Sequence, residues 1–178
     1  NMNIKSIMNT VYLVKKSHEV LLDILHIRGY THIKKKDLNI NIPDLEKKLL
    51  ENDLCYTFQQ NKNNKNSSKK SVYISYLYNV SSKGINDIIE KKYNKNTEII
   101  FIVVGNKYTS IYNDIIYKYK GNISIFKITD LLFNVLKHIY VPKHTILSKK
   151  DIKKKLKNID INLLPKIKLI DPPIKYIG

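Results

Sequence analysis

The sequence predicts an N-terminal three-layer α/β domain with a mixed sheet over residues 1–136, followed by a small C-terminal α+β domain over residues 137–178. Three observations predict it. Residues 98–104 are apolar at nearly every position, as a strand buried on both faces requires. Strand, helix and strand patterns then follow within about 30 residues, a βαβ unit that gives parallel strands. From residue 138 onward the texture changes to a lysine-rich stretch punctuated by prolines.

The elements read in order as follows. Over residues 4–28, Ile7, Val11, Val14, His18, Leu21 and Leu25 recur at spacings of three and four, one face of an amphipathic helix. Arg28 in the last turn suits the helix dipole, Gly29 suits the left-handed position after the helix, and Tyr30 can fold back onto it. Residues 43–52 form a short helix with Pro43 near its start and Leu45, Leu49 and Leu50 inward. Residues 54–60 and 72–79 are strands of a hairpin whose connection is the polar stretch 61–71. Residues 83–93 are helical with Ile85, Ile88 and Ile89 inward. Residues 98–104 form a strand, and 109–119 a helix capped by Thr109 or Ser110. Residues 123–128 are the last strand of the domain, and 130–136 a connector.

In the tail, residues 148–159 read as a lysine-rich helix opened by Ser148 and Asp151, with Ile152, Leu156 and Ile159 on one face. Residues 163–170 read as strand-like, and Asp171-Pro172-Pro173 as a rigid turn. A segment of this size supports little core of its own, since one core rarely suffices below roughly 70 residues, so it is expected to dock onto something.

Composition bounds the function. The formal charge of +17 points to a polyanionic partner, nucleic acid or an acidic protein surface. Arg28 is the single arginine among 32 basic residues, and abundant Asn, Ile and Lys are what an AT-rich genome writes. Bidentate reading of bases and phosphates favours arginine, so the charge supports nonspecific contact. No apolar run approaches the roughly 20 residues of a membrane span, and no membrane partner is expected. The single cysteine, Cys55, excludes an internal disulfide and reads as a small core residue in a reducing compartment.

No catalytic constellation emerges. The five glycines are isolated, so there is no phosphate-binding or dinucleotide loop and no cofactor is expected. His138 and His144 lack neighbouring metal ligands. A nuclease would need acidic residues and a lysine converging on a metal, but Glu98 is followed by Ile99 and Ile100. His18 reads as a hydrogen-bonded core histidine. Tyr73, Tyr76 and Tyr78 read either as strand formers or as a base-stacking platform, the first being the commoner use. The turn at Gly105-Asn106-Lys107, before a helix, reads as an ordinary βα turn over a phosphate site.

The tail carries separated blocks in order: His138, then Val141-Pro142-Lys143-His144, Leu147-Ser148, Leu164-Pro165-Lys166-Ile167, Asp171-Pro172 and Tyr176-Ile177-Gly178. This pattern resembles the assembly domain of the fifth subunit of eukaryotic RNA polymerases, a family whose archaeal member lacks the jaw domain. Arg28-Gly29-Tyr30 after the first helix resembles the start of the eukaryotic subunit's jaw domain. The resemblance implies that His138, Val141, Pro142, Lys143, His144, Leu147, Leu164, Pro165, Lys166, Ile167, Asp171, Pro172 and Tyr176 dock on the largest subunit. It puts Asn106, Lys107, Tyr108, Thr109 and Ser110 at the jaw tip, facing downstream DNA, although these residues are not a motif match. The family continues past Tyr-x-Gly with closing strands, whereas this sequence stops at Gly178, so either the terminus lies outside the given sequence or the closing strands are absent. Pro173 replaces a usually small apolar residue. With the Asn/Ile/Lys bias, this suggests a large DNA virus or an AT-rich protist.

The resemblance therefore implies a non-catalytic subunit of a DNA-directed RNA polymerase. Its partners would be the largest and other polymerase subunits, nonspecific duplex DNA and transcription factors. It would work in the nucleus of a cell, or in the virion or cytoplasmic factory of a virus. The rival readings are a free-standing basic nucleic-acid-binding domain of degenerate nuclease type, and a regulatory mimic of the polymerase's own fifth subunit.

Overall fold

In a computed structural model of the chain, residues 4–60, 71–78, 80–105, 110–119, 122–143, 147–157, 159–168 and 170–177 are described. Helix α1 (Ile4–Ile27) buries Val11, Val14, Leu21, Ile24 and Leu25 on one face. Each such side chain contributes about 1.5–3 kcal/mol when fully buried. The helix stops where the sequence predicts. Gly29 has φ 98°, its N–H reaches the His26 carbonyl at 3.1 Å, and the Tyr30 N–H reaches the Leu25 carbonyl at 2.8 Å. This pair of bonds is a Schellman closure, which returns the chain sharply towards the sheet.

A 3-10 turn (Lys35–Leu38) leads into α2 (Ile42–Leu50), whose N-cap Asn41 accepts the Asp44 N–H at 2.9 Å. Leu45 and Leu49 are buried, but Leu50 is exposed, because it lies on the side of α2 turned from the sheet. Strands β1 (Cys55–Gln59), β2 (Ser71–Tyr78), β3 (Thr97–Val104) and β4 (Ile123–Lys127) form one sheet in the order β1-β2-β3-β4. Antiparallel pairing of β1 with β2 puts Tyr56 opposite Ile74; β2–β3 and β3–β4 are parallel. The mixed sheet follows from the sequence order: a hairpin first, then two crossovers through α3 (Ser82–Lys92) and α4 (Ile111–Lys118).

Alternation along the strands builds two cores. Val72, Ile74, Tyr76, Ile100, Ile102, Val104 and Phe126 pack with α1 and α2. Tyr73, Leu77, Ile99, Phe101, Val103, Ile123 and Ile125 pack with α3 and α4. Both faces of the central strands are thus covered, which explains their near-continuous apolar sequence.

Several expectations need correction. Cys55 is exposed: β1 is an edge strand whose outward positions are Cys55, Thr57 and Gln59, while Tyr56 turns inward. Of the two readings for the β2 tyrosines the commoner holds: Tyr73 and Tyr76 are buried on opposite faces of the sheet as strand residues, and the stacking platform is not formed by them. Ser110 stands at the N-cap of α4 without a side-chain cap bond; Thr109 lies outside the described residues.

The tail differs most. Ser148 caps α5 (Lys149–Lys155), accepting the Asp151 N–H at 3.2 Å, but the helix ends four residues before Ile159. Ile159 is exposed, so no buried stripe sustains a further turn. The strand expected over residues 163–170 is replaced by a 3-10 turn (Ile161–Leu163) and irregular chain over residues 164–168. A strand needs a hydrogen-bonded neighbour, none adjoins this segment among the described residues, and Pro165 has no N–H to donate. The expected rigid turn at Asp171-Pro172-Pro173 instead starts α6 (Pro172–Ile177): the Asp171 carbonyl accepts the Lys175 N–H at 3.0 Å, and proline suits the first helical turn.

Candidate functional site

The tail is held by one polar junction. The Arg28 guanidinium, where α1 ends, donates from Nη1 to Glu98 Oε1, from Nη2 to the Lys175 carbonyl, and from Nε to the Tyr176 carbonyl at 3.3 Å. Glu98 lies at the start of β3, and both side chains of the ion pair are buried. The Tyr30 hydroxyl lies 3.4 Å from Glu98 Oε2 and 3.1 Å from the Ser71 carbonyl. Burial, reinforced by Glu98, pushes the Tyr30 hydroxyl pKa upward, keeping it a neutral donor. The guanidinium also lies 5.9 Å from the Phe126 ring centroid. A planar fork with five donors serves three acceptors from two directions; an ammonium point charge could not.

Tyr176 is the second anchor. It is only 1% exposed, and it meets Phe126 edge-on with ring centroids 5.8 Å apart. Its hydroxyl reaches the Asp130 carbonyl and lies 3.1 Å from the Phe133 carbonyl, in the 3-10 turns (Ile128–Leu131 and Val135–Lys137) that lead out of β4. Burial pushes the phenol up to about 12. Asn134 and Lys137 then bind Asp23 of α1 at 3.0 and 2.7 Å. The tail's beginning and its end are therefore both fastened to the α1 face of the sheet. Between them opens a cleft of about 560 Å³ walled by Phe126, Phe133, Ile170, Lys175 and Tyr176. Burial lowers the Lys175 pKa, partly offset by Asp130 at 3.9 Å.

The segment between the anchors presents apolar side chains outward. Ile139 is 86% exposed, Tyr140 82% and Leu163 80%; Phe133 and Ile167 are also exposed. The motif residues sort accordingly. His138, Pro142, Lys143, Pro165, Lys166 and Ile167 are exposed, while Val141, Leu147, Leu164 and Asp171 are half-buried. His138 Nδ1 accepts the Tyr140 N–H at 3.4 Å, and the two rings pack 5.5 Å apart. Asp171 accepts the Lys168 N–H at 3.2 Å, and Pro172 opens α6. Among the described residues of the set, Tyr176 alone is enclosed by the chain itself. His144, Asn106, Lys107, Tyr108 and Thr109 lie outside the described residues, and Ser110 is exposed.

Sequence reasoning missed Arg28 and Glu98 as a pair. The available signal was the solitary arginine in a chain that otherwise uses lysine. It also passed over Ile139, Tyr140 and Leu163, apolar residues in a segment without a repeating pattern. Among the described residues no cluster of three or more His, Cys, Asp or Glu is arranged to hold a metal ion. No helix among them is long and apolar enough to cross a membrane.

Residues 133–178, the segment so fastened, match the family described as RNA polymerase Rpb5, C-terminal domain. Over 58 residues the chain is 41% identical to DNA-directed RNA polymerases IV and V subunit 5B of Arabidopsis thaliana, covering 32% of this chain and 27% of that protein. Over 162 residues it is 26% identical to DNA-directed RNA polymerase V subunit 5A of the same plant, covering 88% of this chain and 72% of the relative. Over 46 residues it is 48% identical to DNA-directed RNA polymerase subunit Rpo5 of Methanothermobacter thermautotrophicus, 25% of this chain and 60% of the relative. For the first and third of these, the match spans less than two thirds of the relative's length. The two motif-bearing ends of the junction, Arg28-Gly29-Tyr30 and the tail through Tyr176, thus fall in a chain whose residues 133–178 match the Rpb5 C-terminal domain and which is similar to RNA polymerase subunits of a plant and an archaeon.

Proposed function

We propose that the chain is a non-catalytic polymerase subunit whose tail, residues 137–178, docks on the largest subunit, while residues 1–136 form part of the lower jaw beside downstream DNA. The observation that carries this reading is the outward apolar surface of Ile139, Tyr140, Leu163 and Ile167, held at both ends by Tyr176 and by the Asn134–Lys137 contacts. Exposed aromatic and aliphatic side chains on a fixed scaffold suit a surface meant to be covered by a partner. The charge of +17 supplies a nonspecific field for duplex DNA, and the chemistry of nucleotide transfer rests with other subunits. Transcription factors are further partners of the jaw. The site of action is the nucleus in a cell, or the virion or cytoplasmic factory in a large DNA virus.

Purification of the native complex tests the reading. Stoichiometric co-elution with the two large polymerase subunits is expected. Pro165→Ala combined with Asp171→Ala should weaken incorporation without unfolding residues 1–136. A free monomer that binds DNA unaided with steep salt dependence would favour the independent DNA-binding domain instead.

A further inference from the structure

The two edges of the sheet differ. At β4 the residues from Ile123 to Phe126 are buried, and Tyr176 of α6 packs against Phe126. At β1, Cys55, Thr57 and Gln59 are exposed. The Tyr76 N–H reaches the Leu54 carbonyl at 2.9 Å, and Asn52 Oδ1 accepts the Tyr78 N–H at 2.8 Å. In an antiparallel ladder bonded pairs alternate, and Tyr56 stands opposite Ile74 and Phe58 opposite Val72. Leu54, Tyr56 and Phe58 therefore point their N–H and C=O groups at β2, while Cys55, Thr57 and Gln59 point theirs away from the sheet. Hydrogen bonds among the described residues leave these outward groups unused.

Native sheets blunt such an edge with lysine, proline, a bulge or a covering element. β1 reads Cys-Tyr-Thr-Phe-Gln, without proline and without any of the chain's 32 lysine and arginine residues. A row of donors and acceptors repeating every two residues, about 7 Å, matches an extended peptide backbone. The two faces of the edge select its side chains. On the α1 face, Tyr56 and half-buried Phe58 stack with ring centroids 6.2 Å apart, a ledge suited to β-branched residues. On the opposite face stand exposed Cys55, Thr57 and Gln59, which suit small polar ones. A second copy of the chain is a poor occupant. Two five-residue strands bury far less than the roughly 1,600 Å² of a standard interface, and each copy carries a charge of +17. The same charge favours an acidic segment.

We propose that β1 accepts a fifth strand: an extended, antiparallel segment of a partner protein, apolar at alternate residues and flanked by acidic ones. Its polar residues exchange backbone bonds with Gln59, Thr57 and Cys55, and its apolar residues lie opposite Phe58 and Tyr56. This surface is separate from the tail and stands whether or not the tail docks on the largest subunit.

The probe is the peptide acetyl-Glu-Ser-Ile-Thr-Val-Ser-Glu-amide, titrated into the isotope-labelled full chain at fixed ionic strength and followed by NMR. The Cys55, Thr57 and Gln59 N–H signals are expected to shift saturably, and their hydrogen exchange to slow by about tenfold or more at saturation. In the bound register the amides of the peptide's Ser and Thr face β1, and those of its Ile and Val face solvent. N-methylation at Thr should therefore weaken binding by about tenfold or more, while N-methylation at Ile should change it by less than about threefold. Thr57→Pro removes an edge N–H that serves no bond to β2, so the fold should persist and the peptide should bind at least about tenfold more weakly. If that variant does not fold, the two methylated peptides decide the matter. Absence of a saturable shift, or equal losses from both methylations, would overturn the strand. Protection of the same three amides that grows with chain concentration, without peptide, would assign the edge to a second copy and overturn the partner segment.

Discussion

Arg28 and Glu98, 70 residues apart in sequence, form a buried ion pair that joins the end of α1 to the start of β3. Because the same guanidinium also donates to the Lys175 and Tyr176 carbonyls, the pair fixes the last helix of the tail as well. Lysine offers one charge centre and no fork. Arg28→Lys should therefore lower stability by about 2–4 kcal/mol, since one partner and two carbonyls lose their donors in a buried place. Urea unfolding of the full chain measures the loss, and hydrogen exchange at residues 172–177 should accelerate with it. An unchanged midpoint would refute the hub.

Tyr176 separates packing from polarity. Tyr176→Phe keeps the ring against Phe126 but leaves the Asp130 and Phe133 carbonyls without their donor, a cost of about 1–2 kcal/mol. Tyr176→Ala also opens a cavity and should cost about 3–5 kcal/mol. Similar midpoints for the two variants would mean that the ring does not pack as described.

His18 sets a pH dependence. Burial, then the charge of Lys15, lowers its pKa from 6.5 to about 4. The neutral form is favoured in the fold, so the unfolded chain takes up a proton that the folded chain refuses. Stability is thus fully present above pH 6.5 and falls as the pH drops towards 4, by on the order of 3 kcal/mol over the whole window. Behind the ring lie Tyr56 and Tyr76, which stay neutral there. Between pH 7 and 5, above the range where most carboxylates titrate, the urea midpoint should decline in the native chain. It should decline much less in His18→Gln. Equal slopes would remove His18 as the cause.

Most of the architecture was legible because its signals are local. The α1 stripe, the Gly29 stop and the unbroken apolar run of β3 each follow from a few neighbouring residues. The tail was not legible as structure. Its residues 163–170 have strand-forming types, but a ladder is made by a partner, and sequence alone does not supply one. Cys55 was misread for a related reason: an apolar run at a sheet edge keeps one face outward, and register decides which. The Arg28–Glu98 pair depends on closure over 70 residues, which no local pattern encodes. The motif blocks of the tail, conversely, marked the segment that matches the Rpb5 C-terminal domain without revealing that Tyr176 turns inward while Ile139 and Tyr140 turn outward.

That division of labour within the tail leads to the last prediction. Ile139 and Tyr140 are almost wholly exposed, so replacing both by serine removes little that the isolated chain uses. Surface changes of this kind usually alter stability by no more than about 0.5 kcal/mol. A covered interface behaves differently: truncating an aromatic anchor there commonly costs about 2 kcal/mol or more, which is some thirtyfold in affinity. Ile139→Ser with Tyr140→Ser should therefore leave the urea midpoint of the free chain in place. It should nonetheless sharply reduce recovery of the chain with the large polymerase subunits. Arg28→Lys should do the reverse in order of cause, loosening the tail first and losing the complex as a consequence. If the double serine variant is incorporated normally, the outward apolar surface is not what the polymerase holds, and docking must be sought in the half-buried Val141, Leu147 and Leu164.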